Sequence, residues 1–366
     1  MRTRSSREII HTCLESNHVD LLLAAAIQAG GDAHFDSDVF RALMQLALQE
    51  GDLETVRQAS TRMLEVALGL GLLPMALEAI CLFRNVGGDA TALIDRVIEA
   101  VEARGFSAER LPHYVEWVPD LSSFETPPTC PPPADALAML MERPAPRSDA
   151  PFAWISFWAQ LPIPALRQLM EWMHFELRRS GEAVLSPPRL AACWLTTGSV
   201  RKDEEAIRTC PPGTMIVPRV DATIEAASHL RMVGLRDSHW ETVLSEEPFA
   251  STWRKIDLRH RMVEHLLRLA HEHRLPQSAV DGWLRGVRVR SAGDAIASLA
   301  QDTVIIALDG QLPLPNGELA ERGEVVVLPS GEPPDYRALA TMQWSVSAFE
   351  GVCPLSVVEH RRVTPT

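Results

Sequence analysis

The chain has 366 residues, 46% apolar and 23% charged, a mix that excludes wholesale disorder, a collagen-like repeat and a disulfide-dense scaffold. Its 48 acidic against 35 basic side chains leave a formal net charge of −13, a field that repels phosphate backbones and anionic membranes, so general nucleic-acid binding is not expected. Only Lys202 and Lys255 are lysines among the basic residues; with abundant Ala, Leu and Pro, this points to a GC-rich bacterial genome, and the even spread of Arg argues against selection for bidentate pairing.

The start, Met1-Arg2-Thr3-Arg4, is basic, but no apolar stretch with a small-residue cleavage site follows it, and no run reaches the length of a membrane span. Neither a secretory leader nor membrane insertion is expected. Cys13, Cys81, Cys130, Cys193, Cys210 and Cys353 are scattered, with no C-x-x-C pair, which reads as reduced thiols in a cytoplasm and as no metal centre.

Residues 1–105 read as helix after helix. Apolar residues recur at helical spacing in Ile9–Leu14, Leu21–Ile27, Phe40–Leu48, Val56–Leu68, Met75–Phe83 and Ala92–Val101. Gly30-Gly31-Asp32, Gly51-Asp52 and Gly87-Gly88-Asp89 punctuate them. Each places glycine where a left-handed C-cap is needed, followed by an Asp that accepts from the next helix's free N–H groups. Short links make successive helices antiparallel hairpins. The Gly-Asp signals at 51 and 88 and the small residues Ala76 and Ala79 within Gly71–Phe83 resemble a tetratricopeptide repeat, although the aromatic positions of that repeat are missing. Gly69-Leu70-Gly71 superficially suggests a nucleotide loop; without a preceding strand or a Gly-Lys-Ser/Thr, it reads as a helix break.

Eight of the 27 residues from Glu125 to Pro151 are proline. Residues 106–151 therefore read as a semi-rigid linker, with one short helix over Ala134–Glu142. A docking site for a proline-recognising partner is the sharper alternative.

Beyond the linker a pattern occurs twice. Leu161-Pro162 opens a helix through Met173, followed by Gly181-Glu182, an apolar run Leu190–Leu195, Gly198 and Gly213. Leu275-Pro276 opens a helix through Leu284, followed by Gly293-Asp294, the run Thr303–Leu308, Gly310 and Gly323-Glu324. Short apolar runs between glycine turns suggest two small antiparallel rolls, over 152–273 and 274–366, separated by a helix Ser251–His273. The expected fold is α+β and multidomain, an all-α helical-hairpin domain followed by two jelly-roll-like β-rolls with flanking helices.

Each copy resembles a cyclic-nucleotide-binding domain. Phe157-x-x-x-Leu161-Pro162-x-x-Ala165-Leu166-x-x-Leu169-Met170 is similar to that family's leading helix. Phe175 with Arg178-Arg179-x-Gly181-Glu182 is similar to its first strand and turn, and Leu195-Thr196-Thr197-Gly198-Ser199-Val200 to a later strand–turn–strand. Val289-x-x-x-Gly293-Asp294, Ile306-x-Leu308-x-Gly310 and Gly323-Glu324 fill the matching places in copy two. The resemblance implies a cassette in which a short helix N-terminus and an arginine hold a cyclic phosphate, and a glutamate holds the ribose hydroxyl.

The cassette is where both copies depart from the family. Copy one keeps Pro218-Arg219, has Ala222 one place late, lacks the Gly-Glu pair and carries Asp221 where an anion would sit. In copy two, Gly331-Glu332 and Arg337-Ala338 echo the pattern, but Pro333-Pro334 removes N–H donors and Asp335 adds negative charge. The implied reading is a non-enzymatic regulatory or adaptor protein. It binds a protein partner through its helical domain, needs no cofactor, and carries rolls that have lost their nucleotide. The alternative is a working cyclic-nucleotide sensor with Arg219 or Arg337 on the phosphate.

Two clusters invite other readings. His260, His265, His271, Glu272 and His273 crowd one segment, but not at the i, i+4 spacing of a zinc-protease helix, so they read as a solvated face. Trp154, Phe157, Trp158, Trp172 and Phe175 read first as packing between leading helix and roll, and second as a surface hot spot.

Overall fold

In the computed structural model the described residues are 19–107, 129–153, 155–202, 208–209, 212–217, 224–254 and 256–257, together with the backbone of strands between 288 and 363. Contacts divide the chain into two compact units, Met1–Ala250 and Ser251–Thr366. Among the described residues, no helix is long and apolar enough to cross a membrane, and Cys81, Cys130 and Cys193 are free thiols.

The first unit begins with five helices, α1 (Val19–Ala29), α2 (Ser37–Glu50), α3 (Leu53–Leu70), α4 (Leu73–Asn85) and α5 (Thr91–Arg104), each packed on the next. They match five of the six apolar runs; Ile9–Leu14 lies outside the described residues. The punctuation works as the sequence suggests at two of three places. Gly51 ends α2 at φ 75°, and Asp52 caps α3 by accepting from the Thr55 N–H at 3.0 Å. At the third break Gly87 takes φ 77°, and Asp89, one residue before the N-cap Ala90, accepts from the Thr91 N–H that opens α5 at 3.0 Å. At the first break Gly30 and Gly31 do take positive φ, but a 3-10 turn intervenes, and Asp36, not Asp32, caps α2. Gly69 and Leu70 close α3 and Gly71 is its left-handed C-cap, so the suspected nucleotide loop is a helix end.

Residues 129–153, expected to run as a spacer, are packed against these helices. Helix α6 (Pro133–Met141) buries Ala136, Leu137 and Leu140 against α1, α2 and α3. The strap that follows is held by arginines: Arg62 donates to the Arg143 carbonyl and Arg104 to the Ala150 carbonyl at 2.7 Å. Arg104 also lies over the Phe152 ring, 4.2 Å from its centroid, and β1 (Phe106–Ser107) pairs in parallel with β2 (Phe152–Ala153). Proline keeps the strap extended, and the carbonyls of Arg143 and Ala150, each just before a proline, become acceptors for cationic side chains.

Helix α7 (Ile163–Trp172) leads into a two-sheet antiparallel roll. One sheet has the order β3 (His174–Arg178), β9 (Leu230–Leu235), β4 (Ala192–Thr197), β7 (Met215–Ile216). The other has β6 (Arg208–Thr209), β5 (Ser199–Lys202), β8 (Ile224–Ala226), extended by residues 182–184, whose Val184 N–H bonds the Ile224 carbonyl at 2.9 Å. The first and last strands lie side by side, as Greek-key connections bring them. The turn at Gly198 has φ 117°, and a Cβ there would meet the Leu230 side chain and the His229 carbonyl, so only glycine fits. Helix α8 (Asp237–Ser245) leaves directly from β9.

The second unit departs from the all-antiparallel roll expected over 274–366. Its described strands form a mixed sheet in the order β10 (Arg288–Ser291), β15 (Ser345–Glu350), β11 (Thr303–Ala307), β14 (Val325–Leu328), β16 (Arg361–Val363). Both neighbours of β15 run parallel to it. A short hairpin of β12 (Leu312–Pro313) and β13 (Leu319–Ala320) lies beside it in sequence. Apolar runs between glycine turns mark strands, but strand direction depends on long-range pairing that local pattern does not encode. Of the helix Ser251–His273, only residues 251–254 and 256–257 are described, and they are helical; the histidine cluster lies outside.

Candidate functional site

The expected ligand cassette of copy one connects β7 to β8 and so crosses from one sheet of the roll to the other. Its start is described: Gly213, at φ 85°, donates to the Leu195 carbonyl at 2.7 Å. Arg219 and Ala222, and in copy two Gly331, Glu332, Arg337 and Ala338, lie outside the described residues. What the structure does give is the interior that the cassette would close. Val184, Leu190, Cys193, Leu195, Val200, Ile216, Ala226, Leu230 and Met232 form one buried apolar cluster between the sheets. Burial pushes the Cys193 thiol well up, so it is an inert core group.

Charge near this interior is already neutralised. Across β3 and β9, Glu176 faces Met232 and Arg178 faces Leu230, so both belong to the face that the core occupies. Glu176 is nearly buried and accepts from Arg178 Nη1 at 2.9 Å and Arg189 Nε at 2.7 Å. Arg178 also donates to Ser186 Oγ at 2.6 Å, which ties edge strand β3 to the segment leading into the second sheet. On the second sheet Arg201 pairs with Glu225 at 3.2 Å.

The opposite face of the first sheet is covered by the helical layer. Alternation along β4 and β9 sends Trp194, Thr196, Arg231 and Val233 outward, and helix α4 packs on β3, β4 and β9. Phe157 stacks on Trp194 with centroids 6.0 Å apart, and Trp158 approaches it at 5.2 Å; all three are fully buried. For Phe157 and Trp158 the packing reading of the aromatic cluster therefore holds, while Trp154 lies outside the described residues.

In the middle of this seam sits Glu78 of α4, 0% exposed. Its Oε1 accepts from Arg41 Nε of α2 at 2.8 Å and from Arg231 Nη1 of β9 at 3.0 Å, and its Oε2 accepts from Arg41 Nη2. Arg41 also donates to Asp38 Oδ1 at 2.6 Å and Ser37 Oγ at 3.0 Å. Burial alone would push the Glu78 carboxyl up, but the charges and hydrogen bonds of Arg41, with Arg231 adding to them, bring it down to about 2. Burial, and repulsion from Arg41, lower Arg231, whereas Glu78 and Asp38 outweigh burial at Arg41 and raise it. Two helices and a strand are thus joined by one carboxylate between two guanidinium groups. In the sequence, the signal for Glu78 is a lone acid inside the apolar run Met75–Phe83. Among the described residues, no three His, Cys, Asp or Glu side chains converge to hold a metal ion.

No protein-family profile and no curated protein matches the chain. Solved structures do. The catabolite activator protein of Thermus thermophilus aligns with 32% of this chain and 71% of its own, at 13% identity and TM-score 0.23. A cAMP-binding acyltransferase from Mycobacterium smegmatis aligns with 30% of this chain and 39% of its own, at 19% identity and TM-score 0.22. A cyclic nucleotide-binding domain from Methylobacillus flagellatus aligns with 25% of this chain and 61% of its own, at 16% identity and TM-score 0.20.

Proposed function

We propose that the chain is a non-enzymatic regulatory or adaptor protein, whose first unit carries a jelly-roll of the cyclic-nucleotide-binding kind used as a protein-binding scaffold and not as a nucleotide sensor. One observation carries this reading: a buried apolar cluster lies between the roll's sheets, and Arg178 and Arg189 beside it are engaged by Glu176. A cyclic phosphate needs free N–H groups and an unpaired guanidinium converging on one point. The cassette sequence supports the same conclusion, because Asp221 sits beside Arg219 and the Gly-Glu pair is missing. The helical layer is the surface offered to a protein partner, on the sides that α4 does not commit to the roll. Two exposed leucines at the α2–α3 turn, Leu48 and Leu53, belong to that surface. A domain of this shape loses a ligand without losing its core, since the ligand contacts sit in a loop and the core in the strands.

Isothermal titration of the full chain with cyclic AMP and cyclic GMP tests the reading. No saturable heat is expected up to millimolar ligand. Saturable binding at micromolar concentration that disappears in Arg219→Ala or Arg337→Ala would establish the sensor and overturn the scaffold.

A further inference from the structure

Helix α6 meets the helical layer through a narrow face. Ala136, Leu137 and Leu140 are buried against α1, α2 and α3, while Met139 and Met141 stay exposed. Prolines flank the helix, Pro131 and Pro132 before it and Pro144 and Pro146 after it. A helix of nine residues is too short to persist without the support beneath it.

The layer holds this segment by its backbone. His34 Nδ1 lies 3.4 Å from the Leu140 carbonyl, Arg62 Nη2 donates to the Arg143 carbonyl, and Arg104 Nε donates to the Ala150 carbonyl at 2.7 Å. In each contact the layer supplies a side chain and the segment supplies a carbonyl. These bonds therefore follow the course of a chain and do not read its side chains. Arg62 is buried and pairs with Glu65 at 3.1 Å, yet its Nε has no hydrogen-bond partner, and neither has Nη2 of Arg104. The two arginines thus keep buried donors that residues 133–151 leave unused. Proline-rich flanks are already extended before they dock, which lowers the ordering cost of seating such a segment.

We propose that the face of α1, α2 and α3 is a peptide-docking surface held in cis by residues 133–151, and that its partner is a short apolar helix with a proline-rich extension. The partner places small or aliphatic side chains where Ala136, Leu137 and Leu140 sit, at i, i+1 and i+4 of one turn, and offers carbonyls to Arg62 and Arg104. Tethering gives the resident segment an effective concentration on the order of millimolar, so a partner in trans docks only by outcompeting it. Local opening of α6 and the strap frees the surface without unfolding the helices beneath. The proposal rests on the scaffold reading for the partner's being a protein, and names the segment that the helical layer takes.

Fluorescence anisotropy of a labelled synthetic peptide of residues 129–153, titrated with the full chain, tests it. Wild type should take up little of the peptide. Leu137→Asp with Leu140→Asp in the protein unseats the resident helix, and the peptide should then bind about tenfold tighter or more. Adding Arg62→Ala to that protein should weaken binding by about tenfold. A peptide that itself carries the two Asp changes should not bind. Should the double variant not fold, wild type supplies the test by hydrogen exchange. Amides of Pro133–Met141 should exchange about tenfold faster or more than those of Leu53–Leu70, and excess peptide should speed them further. A folded double variant that ignores the peptide, binding indifferent to Arg62→Ala, or an α6 as protected as α3 would each overturn the proposal. The cyclic-nucleotide titration is a separate readout: saturable heat there overturns the scaffold, whereas failure of the peptide test strikes this surface alone.

Discussion

Glu78 shows how a single side chain decides the relation between two layers. A carboxylate with no solvent contact is tolerated because two guanidinium groups supply its hydrogen bonds; removing its charge leaves Arg231 buried without a carboxylate and Arg41 with Asp38 alone. Glu78→Gln is nearly isosteric, so packing stays and electrostatics goes. It should destabilise the first unit by about 3–5 kcal/mol in urea unfolding. Replacing all three residues together, as Arg41→Met, Glu78→Leu and Arg231→Met, should cost less than Glu78→Gln, because only Asp38, in the first turn of α2, is then left without its ion partner. An equal loss in both proteins would mean that volume and not charge holds the seam. The pH dependence has a fixed sign. The folded carboxyl is held near 2 against an ordinary 4.5, so its contribution is full above pH 4.5 and is lost as the pH falls toward 2. Acid unfolding of Glu78→Gln should lack that part of the slope.

At the scale of elements, the strap over 142–153 shows what composition conceals. A proline-rich stretch reads as a spacer because it cannot make a helix or a central strand, but packing needs only acceptors and apolar contacts. Arg62 and Arg104 find the acceptors, while Phe152 and Ala153 give the contacts. Gly69 of α3 is where the strap crosses: a Cβ there would fall inside the Pro146 carbonyl group. In an open helix Gly→Ala gains roughly 1 kcal/mol. Here Gly69→Ala should instead cost about 1–3 kcal/mol, because backbone has to move. Trypsin should then cut faster after Arg147 in the variant; unchanged cutting together with higher stability would remove the crossing as a constraint. The helices and their caps were legible in the sequence, since a 3.6-residue period and a Gly-Asp pair are local signals. The strap, the Glu78 bridge and the parallel pairings of β15 were not, because each depends on a partner far along the chain: Arg41 and Arg231 lie 37 and 153 residues from Glu78. The cassette residues Arg219 and Arg337 were proposed from a family pattern, and their geometry belongs to segments outside the described residues.

For the molecule as a whole, the seam changes what counts as a domain. The sequence divides at its prolines, into helices over 1–105 and a roll that starts at 152. Contacts put the division after Ala250 instead, because α4 covers one face of the first sheet and α5 packs on α7. Strands β4 and β9 are buried on both faces, which accounts for their nearly unbroken apolar runs. A helical fragment alone would expose the α4 face that meets the sheet, with Glu78 lacking Arg231 and with Arg62 and Arg104 lacking their strap carbonyls. Residues 1–250 should therefore melt in one cooperative transition that far- and near-ultraviolet circular dichroism report at the same temperature. Residues 1–105 should lose that cooperativity, or aggregate, at temperatures where the longer fragment is intact. The comparison decides whether helices and roll act as one body: an independently stable 1–105 would return the boundary to the prolines, and with it a helical domain free to dock partners on every face.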